Sequence, residues 1–80
     1  MYMIKTFYNF RFNGLDGLFE KIEDAKYAIE TNKFDLSENG TNNVVIIQEL
    51  QLGMYPEGHI LCQYIWNRDK ECYEGPYPID

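Results

Sequence analysis

The sequence predicts an α+β fold: a four-stranded, mainly antiparallel sheet in the order β-β-α-β-β, with one helix packed on one face. Three observations carry this expectation. Segments rich in β-branched and aromatic residues recur over 3–12, 17–20, 44–52 and 59–66. Only the segment starting at Ile22 spaces its apolar residues at the helical period. The remaining connections are rich in Gly, Asn and Pro, so sequential strands are expected to pair as hairpins under a single covering helix.

The first strand, MIKTFYNFRF, contains no Gly or Pro. Its aromatics fall on both parities, with Phe7 on one and Tyr8, Phe10 and Phe12 on the other. Such a strand suits an inner position with both faces partly covered. Asn13-Gly14 and Asp16-Gly17 are turn dipeptides, because Gly accepts positive φ and Asn or Asp tolerates it. They predict a hairpin loop near 13–17, with GLFE returning as a short second strand. Ile22, Ala25, Ala28 and Ile29 then define an amphipathic helix over about 22–32. Glu23 and Asp24 stand in its first turn, where the positive end of the helix dipole favours them. The start beside Lys21 has no capping side chain, and Asn32 is the expected stop.

NKFDLSENGTNN reads as a long, polar, mobile loop. VVIIQELQL is the clearest strand in the chain. Val44, Ile46, Leu50 and Leu52 are expected on its core face, and Val45 and Ile47 on the other. It should begin buried on both sides and end with one side wet. GMYPEG is turn chemistry, and HILCQYIW is the fourth strand, with Ile60, Cys62, Tyr64 and Trp66 on one parity. The expected core comprises Ile22, Ala25, Ile29, Val44, Ile46, Ile60 and Tyr64. Residues 1–67 thus make the ββαββ domain. Residues 68–80, with two prolines and a glycine, read as an acidic tail or an irregular edge element of the same domain.

Eighty residues make one domain, and 45 % hydrophobic residues with 16 % aromatics place the chain among folded proteins. No N-terminal apolar run takes signal-peptide form or reaches the roughly 18 residues of a membrane span, so a cytoplasmic protein is expected. Cys62 and Cys72 then read as free thiols, the first in the core and the second exposed.

The net charge of −6 is unevenly placed. Residues 1–33 balance five acids against five bases, whereas residues 34–80 set eight acids against only Arg68 and Lys70. An acidic surface repels nucleic acid backbones and anionic membranes, so direct contact with either is not expected.

The inventory for catalysis is thin. One serine, Ser37, and one histidine, His59, stand in unrelated contexts, and no elbow glycines surround the serine. Cys72 lies between Glu71 and Glu74, where neighbouring carboxylates disfavour the thiolate. Two cysteines ten residues apart with one histidine do not form a zinc motif, and DLSENGTNN lacks calcium-loop spacing. Glu23 and Asp24 diverge by about 100° on the helix, and GLDG lacks the pattern of a phosphate loop. The expectation is therefore no enzyme, no metal and no cofactor.

The stretch from Gly17 to Glu30 resembles a strand-then-helix unit, G-x-F-x-x-x-E-D-A-x-x-A-I-E, of small uncharacterised phage and prophage proteins. Gly17, Phe19, Glu23, Asp24, Ala25, Ala28, Ile29 and Glu30 carry the resemblance. It covers roughly the first 50 residues, lacks the usual Ser or Thr cap, and leaves the tail unmatched. The resemblance implies a phage or mobile-element origin, among proteins that include inhibitors of host defence such as anti-CRISPR proteins.

The tail tyrosines allow two readings: a tail folded back as core, or a contact surface in which stiff amphipathic rings meet a partner. Carboxylates among rings also imitate nucleic acid. The function expected is a non-enzymatic inhibitor whose acidic C-terminal half occupies the basic nucleic-acid-binding surface of a host protein. Its contact residues would be Glu57, Asp69, Glu71, Tyr73, Glu74, Tyr77 and Asp80. The alternative is a small accessory or assembly module, a homodimer or a subunit of a phage structure, with no inhibitory role.

Overall fold

The computed structural model describes residues 1–9, 11–38, 40–50 and 59–79. The expected turn at 53–58, and Phe10, Gln51 and Leu52 of the expected strands, lie outside them. The described residues form β1 (Tyr2–Tyr8), β2 (Arg11–Phe19), α1 (Ile22–Thr31), β3 (Val44–Glu49), β4 (Ile60–Asn67) and β5 (Cys72–Tyr77). The strands make one antiparallel sheet in the order β2-β1-β3-β4-β5. β1 is inserted between β2 and β3, so those two run parallel and α1 is the crossover between them.

The α+β class, the antiparallel pairing and the single helix agree with the sequence, but the sheet has a fifth strand. Residues 72–77 of the expected tail fold back on β4, pairing Asn67 with Cys72 and Trp66 with Tyr73. The reversal is organised by Asn67, whose Oδ1 accepts from the backbone N–H groups of Asp69 and Lys70 at 2.9 and 3.1 Å. Pro76, which cannot donate to a ladder, is tolerated because β5 is an outer strand.

The first hairpin also differs. Its chain reversal lies between Tyr8 and Arg11, with Asn9 at φ +46°, and not at 13–17. The two turn dipeptides sit inside β2, where Asn13 and Asp16 are bulged residues left out of the backbone register with β1. The short strand expected over 17–20 is therefore the end of a nine-residue one. A bulge uses the same αL-tolerant, Gly-adjacent chemistry as a turn, which is why the two look alike in sequence. At Gly17 a Cβ would stand 2.7 Å from the Phe19 ring, so the missing side chain is the space that ring occupies.

The helix meets expectation closely. Lys21 makes no side-chain cap, and Asn32 ends the helix in the left-handed region, its N–H donating to Ile29 O. Ala25, Ala28 and Ile29 press onto Ile4, Val45, Ile47, Cys62, Tyr64 and Tyr73. The face of β3 turned to the helix is thus that of Val45 and Ile47, both fully buried, and not that of Val44 and Ile46. Ile46 is still 93 % covered (7 % exposed), but on the sheet's other side, beside Lys5 and Gln63. Ile60, expected in the core, is exposed: Leu61 is bulged against β3, and the residue before it turns outward to lie beside Gln48. Among the described residues no helix is long and apolar enough to cross a membrane.

The parity of β3 has a measurable consequence. Ile47→Ala is expected to cost about 2–5 kcal/mol because its cavity opens under the helix. Val44→Ala, at a half-buried position on the other face, should cost about 1 kcal/mol or less. Urea unfolding of the two variants gives the comparison, and equal losses would contradict the assigned face.

Candidate functional site

At one end of the sheet three connections meet: the bulged part of β2, the segment 32–43 and the turn 68–71. The segment 32–43 is packed at three of its described residues and exposed at Lys33, Phe34, Asp35, Glu38 and Thr41. Leu36, Ser37 and Asn42 are at most 6 % exposed. Its shape rests on left-handed residues at Asn32, Asp35, Glu38 and Gly40, and on internal bonds. The Ser37 hydroxyl donates to Asp35 Oδ1, and Asn32 Nδ2 donates to the Ser37 oxygen.

Asn42 joins this segment to the rest. Its Nδ2 donates to Leu36 O, its Oδ1 accepts from the bulged Asn13 Nδ2, and its carbonyl accepts the Tyr73 hydroxyl, at 2.8, 2.8 and 2.7 Å. The second bulged residue, Asp16, accepts from the buried Thr6 hydroxyl.

A cleft of about 560 Å³ opens here, lined by Asp35, Gly40, Trp66, Arg68 and Glu71 among others. A smaller hollow of about 310 Å³ shares Gly40, Trp66 and Arg68 and extends to Tyr8 and Asn9. Gly40 has φ +85°, and a side chain on it would meet Trp66 Nε1 at 3.1 Å, so glycine keeps the indole edge open to the cleft. Arg68, Asp35 and Glu71 line the larger space together, and Glu38 and Asp69 are exposed in the same two connections.

The expected contact residues separate. Asp69 and Glu71 are exposed in the 68–71 turn. Glu74 is half-buried, its carboxylate accepting from Asn67 Nδ2 on the face away from the helix. Tyr77, 40 % exposed, lies on that same face. Glu57 and Asp80 lie outside the described residues. Tyr73 is 5 % exposed, and its ring meets Trp66 edge to face at 4.9 Å. Pairing of β5 with β4 turns Tyr73 inward, which is the folded-back reading of that tyrosine.

Ser37 and His59 lie at opposite ends of β4, roughly 20 Å apart at the rise of an extended strand. Cys62 is buried, and its burial pushes the thiol up, with Lys26 opposing. Cys72 is half-buried, not exposed. Among the described residues no three His, Cys, Asp or Glu side chains are placed to hold a metal ion.

A second surface escaped the sequence reading. The face away from α1 carries three cross-strand rows: Leu18, Met3, Gln48, Ile60; Leu15, Lys5, Ile46, Gln63, Tyr77; and Phe12, Phe7, Val44, Ile65, Glu74. Phe12, Leu15 and Leu18 are more than half exposed. Their spacing of three residues, set by the two bulges, hid them from a search for strict alternation. Comparison with family models, curated proteins and solved structures returned no match.

Burial, followed by the charges of Asp16, Asp35 and Glu38, raises the Tyr73 hydroxyl above its ordinary value. Burial and the bond to Glu30 do the same for Tyr64. Both groups favour the neutral phenol in the folded chain. Their contribution is fully present below the unfolded value near 10 and is lost as pH rises through the higher folded values. Tyr73→Phe is expected to cost about 1–2 kcal/mol at neutral pH, since it orphans the Asn42 carbonyl. It should also flatten the fall in urea midpoint above about pH 10. An unchanged alkaline slope would remove Tyr73 from this role.

Proposed function

We propose that this protein is a non-enzymatic inhibitor that docks its acidic end on a basic, nucleic-acid-binding surface of a host protein, as phage-encoded antagonists of host defence do. The observation that carries the reading is that Asp35 and Glu71, from two separate connections, line the cleft at Trp66, while Glu38 and Asp69 are exposed in the same connections, four acids against Lys33, Arg68 and Lys70. Carboxylates held beside an indole edge offer a basic groove the pairing of charge and ring that a nucleic acid strand offers. The docking group differs from a purely C-terminal one: Asp35 and Glu38 join it, and Tyr73 leaves it.

A second reading, the accessory or assembly module, is favoured by one observation, the exposed apolar side chains of Phe12, Leu15, Leu18, Ile60 and Ile65 on the sheet face away from α1. It needs no acidic end.

The test is recovery of a host nucleic-acid-binding protein on the immobilised chain, with and without competing nucleic acid. Recovery should fall with competitor and with rising salt, because exposed charges are screened over about 8 Å at physiological ionic strength. The variant Glu38→Gln/Asp69→Asn/Glu71→Gln should lose most of the recovery. Its melting temperature should hold, since exposed charges change stability by about 0.5 kcal/mol or less each. Recovery that ignores salt, competitor and the triple variant would defeat the proposal.

A further inference from the structure

Both outer strands of the sheet are poor templates for adding another strand. β2 is interrupted by the bulged Asn13 and Asp16, and β5 contains Pro76, which has no N–H to donate. One face of the sheet lies under α1 and the segment 32–43. On the opposite face Met3 and Ile46, in the middle strands, are buried, and the exposed side chains stand on β2 to one side of them and on β4 and β5 to the other. Phe12, Leu15, Leu18, Ile60, Ile65 and Tyr77 on it are 40–59 % exposed. Together they present roughly 600 Å² of mostly apolar surface, at the upper end of what a monomer's largest apolar patch ordinarily amounts to. With the half-buried polar members of the rows this approaches the roughly 800 Å² that each partner contributes to a stable interface.

We propose that this face is covered by a second copy of the chain, the two sheets packing face to face about a twofold axis that runs along β3. Charge selects the occupant. Lys5 and Glu74 are the charged residues of the three rows, so the face is close to neutral and offers a basic partner nothing electrostatic. They have opposite signs and flank β3 on opposite sides, Lys5 on β1 and Glu74 on β5. Rotation about β3 lays β1 over the second copy's β4, and β2 over its β5. Each Lys5 then approaches the opposing Glu74, while Leu15 lies against the opposing Tyr77. Aligned sheets pack about 10 Å apart, a gap that these side chains span. The acidic end, with Asp69 and Glu71, projects from the turn beyond β4 and stays outside the interface.

This deepens the assembly reading and is independent of the acidic docking end. The test is sedimentation equilibrium of the full chain from about 1 µM to about 1 mM. A dimer is expected whose affinity holds or rises with salt, because salt screens the repulsion between two copies of charge −6. That is the reverse of the salt response expected of the acidic end. Leu15→Glu and Leu18→Glu, at positions exposed in the single chain, should keep the fold by circular dichroism. Each should raise the dissociation constant roughly a hundredfold, since a twofold buries each new charge twice. Lys5→Glu should weaken the dimer, and Lys5→Glu/Glu74→Lys should restore it, whereas Glu38→Gln/Asp69→Asn/Glu71→Gln should leave it intact. A parent that stays monomeric, a dimer indifferent to Leu15→Glu and Leu18→Glu, or a double reversal no tighter than Lys5→Glu would each overturn the proposal.

Discussion

The arrangement of this small domain depends on Asn42. It is 1 % exposed, and its backbone and side chain are bonded to three distant parts of the chain: the segment at Leu36 and Ser37, the bulged Asn13, and Tyr73 of β5. Each such bond adds only about 1 kcal/mol net, but each partner left unmet in the interior would cost about 1–3 kcal/mol. The asymmetry weighs on the buried bonds to Leu36 and Tyr73, whereas Asn13 is exposed and can turn to water. With Asn42 in place, the polar segment lies down on the sheet, β5 is held against β4, and the end of the first hairpin is tied to both. The cleft at Trp66 is lined by residues of the segment 32–43 and of the turn between β4 and β5, two of the pieces that meet at this anchor.

How much could be seen in the sequence follows from how local each interaction is. The helix and its stop at Asn32 were legible because spacing and a left-handed Asn are local signals. The inner position of β1 followed from aromatics on both parities, and β1 is indeed paired on both sides. The facing of β3 was not legible. Its first four residues are all apolar, so no polar side marks the exterior, and only the helix lying over Ile4 decides between Ile46 and Ile47. β5 was hidden by its prolines and acids, which describe an outer strand as well as they describe a tail. The segment 32–43 looked mobile because its polar side chains satisfy one another, and composition cannot separate that from solvation.

The two candidate surfaces divide along the same line. Asp69 and Glu71 could be nominated from charge alone, since charge is additive along a chain. Trp66, Arg68 and Gly40 could not, because the cleft they form is made by two connections brought together at the end of β4. Tyr73 carried two readings, and the pairing of one strand decided between them. The apolar face was missed altogether, although its residues are among the most exposed large hydrophobic side chains described.

The bulges of β2 have one more implication. Residues 13–18 read Asn-Gly-Leu-Asp-Gly-Leu, two triplets of a polar residue, a glycine and a leucine. In each, the polar residue is the bulge, the glycine lies opposite Thr6 or Ile4, and the leucine points away from the helix. Three residues on β2 therefore advance the same distance as two on β1. An outer strand built in this metre tolerates whole triplets gained or lost without reversing its leucines, whereas a single-residue change would invert everything beyond it. The step this hairpin accommodates is thus a coarse one, written into the edge of the sheet by two residues that have no backbone partner across from them.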